Sequence, residues 1–175
     1  GREEIIAVDG GGTVLWRTRG EGRFMTYPAV FKGHKPALIY AADCAGWLHC
    51  YDASGNSVWK RQLAGPNEWS APVMCDLMAN GTKYVIQTDI QGGVWAFDAV
   101  TGEVFWHTKV DGAPVSPAVA DLNADGFPEV VVATNSGKAF CLDKSGKVLW
   151  ERVIGGASPT WATGAPIIFS ASDGS

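Results

Sequence analysis

The apolar and polar positions of this chain alternate in short runs that are typical of β-strands. Segments such as EVVVAT and SPAVA are rich in β-branched and small apolar residues, and Gly, Pro, Asn or Asp ends each run. No window shows the 3.6-residue period of an amphipathic helix, and none holds the roughly 18 consecutive apolar residues of a membrane-spanning helix. The pattern therefore predicts an all-β protein.

One pattern occurs four times and ends each time in tryptophan. Its copies are AVDGGGTVLW, CYDASGNSVW, AFDAVTGEVFW and CLDKSGKVLW. Their aspartates are spaced 43, 46 and 45 residues apart, and the tryptophans keep the same rhythm. The aspartates are Asp9, Asp52, Asp98 and Asp143, and the tryptophans are Trp16, Trp59, Trp106 and Trp150.

A second repeated half lies between these copies, so that each unit supplies four short strands. We name them A (around SPAV), B (EVVVAT), C (AFCLD) and D (KVLWER). Four strands every 40 to 50 residues are typical of a β-propeller blade. The approximate repeat boundaries are 1–19, 20–65, 66–110, 111–155 and 156–175.

The repeated Asp and Trp have structural interpretations. An Asp followed three or four residues later by Gly fits a C–D hairpin turn, in which the carboxylate accepts backbone N–H groups and Gly takes a positive φ. The Trp on strand D is expected to pack between neighbouring blades, where a large flat side chain covers the interface.

The complete motif A-x-D-x-x-x-G-x-x-x-W, carried by Ala96, Asp98, Gly102 and Trp106, resembles the PQQ-like (quinoprotein-type) β-propeller repeat. The resemblance extends over essentially the whole chain and implies a ring of seven or eight blades. About four blades' worth of strands are present here. Three arrangements remain open: a fragment of a larger ring, which we favour, a closed four-bladed ring, or two chains that complete one ring.

Composition and charge exclude several functions. The net charge is −4 without a basic stripe, which argues against nucleic-acid binding.

Aligning the repeats places Cys50, Cys75 and Cys141 at positions of small buried hydrophobes and Cys44 in a B–C turn, with no zinc spacing. His34, His49 and His107 fall at different blade positions, so we expect no histidine cluster and no catalytic triad.

The A–B loop of one repeat, DLNADGFPE, carries oxygen ligands at positions one, three, five and nine and Gly at six, as in the first part of a calcium-binding EF-hand loop. It also resembles the calcium loops of FG-GAP and integrin propellers. The alternative is a metal-free polar turn. The preceding repeat has a degenerate copy, which begins at Asp76 and which we expect to be empty. The predicted ligands of a structural Ca²⁺ are Asp121, Asn123, Asp125, the Phe127 carbonyl and Glu129.

The D–A and B–C connections form the usual binding face of propellers in the family that this chain resembles. Trp69 beside Asn67 and Glu68 is the most suggestive feature, because an exposed Trp with polar neighbours stacks on sugars or anchors peptides. The alternative is a Trp packed on the neighbouring blade. The candidates on this face are Arg23, Asp43, Asn67, Glu68, Trp69, Asp89, Gln91, Asp111 and Asn135.

The function that the sequence favours is a non-catalytic binding or scaffold propeller of the envelope or extracellular space, with a protein or carbohydrate ligand. It resembles adhesive, ligand-sensing and outer-membrane assembly propellers. One alternative is the propeller of a secreted polysaccharide-active enzyme, which would need paired carboxylates such as Asp43 and Asp89 in a central cleft. A second alternative is a PQQ-dependent dehydrogenase. The chain lacks the adjacent-cysteine pair of those enzymes, so we expect no quinone cofactor.

Overall fold

The computed structural model describes residues 3–155 and 164–168. Within these residues, no helix is long and apolar enough to cross a membrane. The strands in this part of the chain are β1 (Glu4–Val8), β2 (Val14–Arg19), β3 (Ala29–Phe31), β4 (Leu38–Ala42), β5 (Trp47–Asp52), β6 (Ser57–Gln62), β7 (Val73–Cys75), β8 (Tyr84–Thr88), β9 (Gly93–Asp98), β10 (Val104–Lys109), β11 (Ala118–Ala120), β12 (Glu129–Ala133), β13 (Lys138–Leu142) and β14 (Val148–Val153).

The strands pair antiparallel in chain order. Three four-stranded sheets are described, β3 to β6, β7 to β10 and β11 to β14, and each supplies strands A to D of one blade. We number these blades 1, 2 and 3. The remaining pair, β1 and β2, is a C–D hairpin that precedes blade 1. The prediction of an all-β propeller of four-stranded antiparallel blades is confirmed. The predicted fourth A–B pair, at 156–175, falls largely outside the described residues.

The repeated aspartates close the C–D hairpins as predicted. Asp52 Oδ1 accepts the amides of Ser54 and Asn56 at 2.8 and 2.9 Å, and Gly55 takes a φ of 83°. The side-chain and backbone hydrogen bonds of Asn56 hold the pKa of Asp52 below its ordinary value. The carboxylates of the other three copies, Asp9, Asp98 and Asp143, each accept two amides of their own turn in the same way.

The repeated tryptophans form the seams, by which we mean the interfaces between consecutive blades. Trp59 Nε1 donates to the Ala99 carbonyl of the next blade at 3.3 Å. Its indole lies over Gly102, where an added Cβ would stand 2.6 Å from the ring. Two further seams repeat this contact: Trp16 lies on Ala53 and Gly55, and Trp106 on Lys144 and Gly146. The predicted interblade role of these three tryptophans is confirmed.

The hydrophobic core lies between blades. Because side chains alternate along a strand, β8 sends Val85 toward blade 1 and Ile86 toward blade 3, and both are fully buried. Cys50 lies in the interface between blades 1 and 2, Cys141 is buried at the same position of blade 3, and all four cysteines are free. Burial raises the pKa of Cys50 to about 12 and that of Cys141 to about 11, so both thiols stay protonated and inert at neutral pH.

Candidate binding face and calcium loop

The D–A connections and the B–C turns lie side by side, because the amide two residues past the end of each B strand donates to a carbonyl of the preceding D–A connection. The A–B loops and C–D turns share the opposite face, where Ala99 N donates to the Lys83 carbonyl at 2.9 Å. The three donor–acceptor pairs are Cys44 with Arg23, Ile90 with Pro66, and Asn135 with Ala113. We call the first surface, formed by residues 20–26, 43–46, 64–70, 89–92, 110–115 and 134–137, the loop face.

Asp43 is a buried acceptor that fastens the loop face. Its side chain is fully buried and accepts five hydrogen bonds, from the amides of Glu21, Gly22, Ala45 and Trp47 and from His49 Nε2. Burial raises the pKa of Asp43, but these hydrogen bonds outweigh it and leave the pKa below its ordinary value. A carboxylate with five hydrogen-bond donors has a structural role, which here is to hold the D–A connection and the B–C turn together.

Asp89 and Thr134 occupy the same position in blades 2 and 3. The carboxylate of Asp89 is 1% exposed and accepts the amides of Gln91 and Gly93. It also accepts Trp95 Nε1 at 2.8 Å, and Trp95 stands where blade 1 has His49. The paired carboxylates considered for a glycosidase therefore point into hydrogen-bonded turns, because both are buried among their own donors.

The next residue in each B–C turn differs between the blades according to whether the D–A residue that it faces has a free backbone N–H. Asn135 Oδ1 accepts the amide of Ala113 at 2.8 Å, and the Cys44 sulfur accepts the amide of Arg23 at 3.2 Å. In blade 2 the facing residue is Pro66, which has no N–H, and the corresponding side chain is the apolar Ile90. Asn135, which the sequence marked as a ligand candidate, is explained by this structural role. Aligning the repeats could have indicated this structural role, because the one repeat with proline at the facing position also has an apolar residue in place of the acceptor.

Asn67 also has a structural role. It is 1% exposed, and its amide group donates to the Ser70 carbonyl at 2.8 Å and accepts the Ser70 amide at 3.0 Å. It thereby closes the turn that carries Glu68, which is half-buried, and Trp69, which is 46% exposed. Of the three adjacent candidates, Trp69 is the one that faces solvent.

Three large exposed side chains lie on two neighbouring D–A connections, at or next to the loop face. Met25 is 48% and Tyr27 is 85% exposed, and both belong to the D–A connection before blade 1. Thr26 Oγ1 donates to the Ser70 carbonyl at 3.3 Å, which brings this connection alongside Trp69. We call Met25, Tyr27 and Trp69 the apolar rim. Sequence analysis selected Trp69 but missed Met25 and Tyr27, which carry no polar motif. The exposed polar candidates on the loop face are Arg23, Gln91 and Asp111.

His49 belongs to a cluster that sequence analysis did not foresee. Its Nε2 lies 2.9 Å from Asp43 and 3.4 Å from Glu21, and these three are the one such group of His, Cys, Asp or Glu in the described chain. His49 stacks on Tyr51, and Lys60 forms an ion pair with Glu21. A cation here would compete with the Lys60 ammonium and with the five donors on Asp43. The cluster is therefore a hydrogen-bonded contact between the D–A connection, which carries Glu21, and blade 1, which carries Asp43 and His49.

The predicted calcium loop shares its backbone with its degenerate copy. In both loops the first Asp accepts the amides of the fifth and sixth residues, and the fourth residue, Ala79 or Ala124, has a positive φ of 49° or 59°. Turn chemistry therefore accounts for Asp121 and Gly126. It does not account for positions three and nine, where Asn123 and Glu129 replace an apolar and an aromatic residue.

Asn123 and Glu129 join the remaining oxygens in one network. The Asn123 NH₂ group donates to Asp125 Oδ2 and to Glu129 Oε1, both at 3.1 Å. Glu129 is 3% exposed, and its other oxygen accepts the Leu122 amide. In the degenerate loop Lys83 Nζ lies 3.4 Å from Asp76, whereas none of the three loop carboxylates has an ion pair within the described residues. Lys144 lies over the Phe127 ring instead.

Comparison with known proteins supports the fold. The sequence model of the family described as outer membrane protein assembly factor BamB matches residues 1–168. The structure of BamB from Moraxella catarrhalis has a TM-score of 0.64 and 18% identity, over 85% of this chain and 42% of that one. The V. cholerae biofilm matrix protein Bap1 has a TM-score of 0.64 and 20% identity, over 87% of this chain and 24% of that one.

A third solved structure with the same fold is BBS1N in complex with ARL6DN. It has a TM-score of 0.62 and 11% identity, over 85% of this chain and 45% of that one. This chain thus spans less than half the length of each of the three proteins. No curated protein matches the sequence at a significant level. The likeness to solved structures identifies the propeller architecture.

Proposed function

The chain belongs to the family of the outer membrane protein assembly factor BamB, and we propose that it acts as a non-catalytic, extracytoplasmic binding propeller of the cell envelope. Its ligand on the loop face is a protein, and no quinone cofactor takes part. The observation that carries this proposal is the apolar rim of Met25, Tyr27 and Trp69. Aromatic residues and Met are enriched at protein interfaces, and an exposed group of them on a rigid scaffold is typical of a docking surface.

The chemistry of the loop face supports binding over catalysis. Its two buried carboxylates, Asp43 and Asp89, are saturated by donors from their own turns and seams. The candidate groups left at the surface are aromatic, thioether, guanidinium and amide, which recognise a partner but do not activate a nucleophile, and the exposed Asp111 carboxylate is paired with Lys138 at 2.8 Å. Arg23 and Gln91 are exposed on the same loop face and are available for polar contacts around an apolar centre.

Site-specific photo-crosslinking tests the protein ligand. A benzoyl-phenylalanine replaces Tyr27 or Trp69 on the loop face, and in the control it replaces Ala124 on the opposite face. After irradiation in an envelope extract, we expect protein adducts from the two rim positions and none from the control. Equal adducts from all three positions would refute the proposal. Binding to a glycan array that is lost on Trp69→Ala, without any rim-specific adduct, would replace the protein ligand with a carbohydrate.

We also propose that the loop from Asp121 to Glu129 holds a structural Ca²⁺. Its donors are hard oxygens of the kind that Ca²⁺ prefers, and its three carboxylates, one of them buried, have no basic partner in the described chain. The side chains of Asp121, Asn123, Asp125 and Glu129 and the Phe127 carbonyl would hold the ion. Bound Ca²⁺ would supply the positive charge that Lys83 supplies in the degenerate loop.

Thermal unfolding with millimolar Ca²⁺ or with chelator tests this site. Binding at 100 times the dissociation constant stabilises the folded state by about 2.7 kcal/mol, so we expect Ca²⁺ to raise the Tm. Glu129→Gln should abolish the rise, whereas Asp76→Asn, in the degenerate loop, should lower the Tm but preserve the rise. An unchanged Tm in millimolar Ca²⁺ would leave the loop as a metal-free polar turn.

A further inference from the structure

The fourth residue of strand B is polar in one of the three described blades. Blades 1 and 3 have the buried apolar residues Ala41 and Val132 at this position. Blade 2 has Gln87, which is 0% exposed. A long polar side chain is seldom enclosed completely, and where it is, its polar atoms are hydrogen-bonded. Blade 2 therefore differs from its neighbours by a buried amide group whose partners must be accounted for.

The Gln87 amide group is fixed in one orientation. Its Nε2 donates to the carbonyls of Ser70 and Thr88, both at 3.0 Å. If the amide were flipped, its oxygen would face these two carbonyl oxygens, and an acceptor forms no hydrogen bond with another acceptor. The orientation is thus set by the two carbonyls, and it leaves Gln87 Oε1 without a donor among the described residues.

A second buried atom of the same group also lacks a partner. Ser70 is 2% exposed, and its carbonyl accepts Gln87 Nε2, so the two residues are in contact. Its Oγ has no hydrogen bond within the part of the chain that the structure describes. Ser70 Oγ and Gln87 Oε1 are both enclosed, with almost no surface open to solvent. The group that satisfies them must therefore lie inside the protein.

The contacts around this pair place it between blades 1 and 2. Side chains alternate along a strand, so Gln87 lies on the same face of β8 as Val85, which packs toward blade 1. Thr26 Oγ1, from the D–A connection before blade 1, donates to the same Ser70 carbonyl that Gln87 contacts. Asn67 holds the backbone of Ser70 from the other side and closes the turn that carries Trp69.

We propose that a water molecule binds inside this seam and joins Gln87 Oε1 to Ser70 Oγ. Water donates to the amide oxygen, and it either donates to the hydroxyl or accepts from it. Buried waters typically bind polar groups that the protein leaves unsatisfied, and a buried polar atom without any partner carries a desolvation penalty. Neither atom is accessible from the surface, which favours water over a larger ligand. The bound water supports the turn that presents Trp69.

Magnetic relaxation dispersion of the water oxygen counts the long-lived internal waters of the folded chain, and Gln87→Met tests the site. Met keeps the approximate length and volume of Gln but removes the acceptor. We expect the dispersion amplitude to fall by the equivalent of about one water per chain. The matched control is Thr134→Val, because Thr134 is also 0% exposed but its hydroxyl contacts Ser136 and the Lys138 carbonyl. It should leave the amplitude unchanged.

Ser70→Ala gives a second measurement, by urea denaturation, which decides the question even if Gln87→Met does not fold. If water satisfies the Ser70 hydroxyl, its removal deletes a hydrogen bond and should lower the denaturation midpoint. If the hydroxyl has no partner, its removal relieves an unsatisfied polar group and should raise the midpoint. A raised midpoint would overturn the proposal. So would equal dispersion amplitudes for the wild type and Gln87→Met, or an equal fall in Thr134→Val.

Discussion

Replacing Asp43 by Asn tests the interpretation that this buried carboxylate holds the preceding D–A connection to the B–C turn of blade 1. The side chain is fully buried, and its two oxygens divide the donors between them. Oδ1 accepts the Ala45 and Trp47 amides of its own turn, and Oδ2 accepts the Glu21 and Gly22 amides and His49 Nε2. Asn offers one oxygen, so its NH₂ group must face the donors of one of these sets.

The magnitude follows from the donors that lose an acceptor. If the oxygen stays with the turn, two part-buried amides of the D–A connection, those of Glu21 and Gly22, lose a charged acceptor, and so does His49 Nε2. Hydrogen bonds to charged groups contribute about 1.5 to 3 kcal/mol each, so we expect the free energy of unfolding to fall by about 3 to 5 kcal/mol. For a domain of this size, at about 2 to 4 °C per kcal/mol, that fall corresponds to a decrease in Tm of about 6 to 20 °C.

Urea denaturation followed by tryptophan fluorescence measures this change. The matched control is Asp111→Asn, because that side chain is 62% exposed on the same face and should change stability by less than about 0.5 kcal/mol. The double variant Asp43→Thr/Cys44→Asn copies the arrangement of Thr134 and Asn135 in blade 3. It should recover part of the loss, since Asn at 44 is a better acceptor for the Arg23 amide than a thiol. A loss below about 1 kcal/mol for Asp43→Asn would refute the reasoning.

Four further outcomes are expected. Gly55→Ala forces a Cβ to 2.7 Å from the Trp16 ring at a φ of 83°, so it should cost about 2 to 4 kcal/mol. Gly12→Ala meets no heavy atom within 4 Å among the described residues, so its cost of about 1 to 2 kcal/mol, measured by urea denaturation, should come from the positive φ of 84° alone. Trp106→Phe removes the hydrogen bond to the Lys144 carbonyl and should lower the free energy of unfolding by about 1 kcal/mol or more in the same assay. The pKa values of Asp9, Asp43, Asp52 and Asp143 are lowered in the folded state, so their stabilisation is complete above the ordinary carboxyl pKa. It should disappear as the pH falls below about 4 through the lowered values, measured as Tm between pH 7 and pH 2.

The repeat predicted the fold because each repeated residue has a local task. Asp52 accepts the amides of its own turn, and Gly55 adopts a positive φ that other residues avoid. Both roles can therefore be predicted from about ten residues of sequence. Trp59 was predicted at the seam because a large side chain recurs once per blade. Its acceptor, the Ala99 carbonyl, was not predictable. A backbone acceptor leaves no trace in side-chain identity.

The candidate face was predicted less well, since burial separates its residues into two kinds. Asp43, Asn67 and Asn135 are polar residues in loops, and sequence treats them like exposed ones. The structure shows that each accepts or donates hydrogen bonds within the fold. Tyr27, at 85% exposure, is apolar enough in sequence to be assigned to a strand. Loop composition alone therefore selects buried polar residues as ligand candidates and overlooks an exposed aromatic residue such as Tyr27.

Variation between the blades explains why the loop face is able to carry a specific ligand on a repeated scaffold. The position after strand B changes from Asp43 to Asp89 to Thr134, and its partner on strand C changes with it, from His49 to Trp95 to Phe140. Where the acceptor is a carboxylate the partner has a ring N–H, and where it is a hydroxyl the partner has none. Each blade thus provides hydrogen bonds to the side chain at this position in a different way. The exposed neighbours of those groups are then free to differ, and the apolar rim occurs beside blades 1 and 2 because Ala71 and Ser116 replace Tyr27 in the next two repeats.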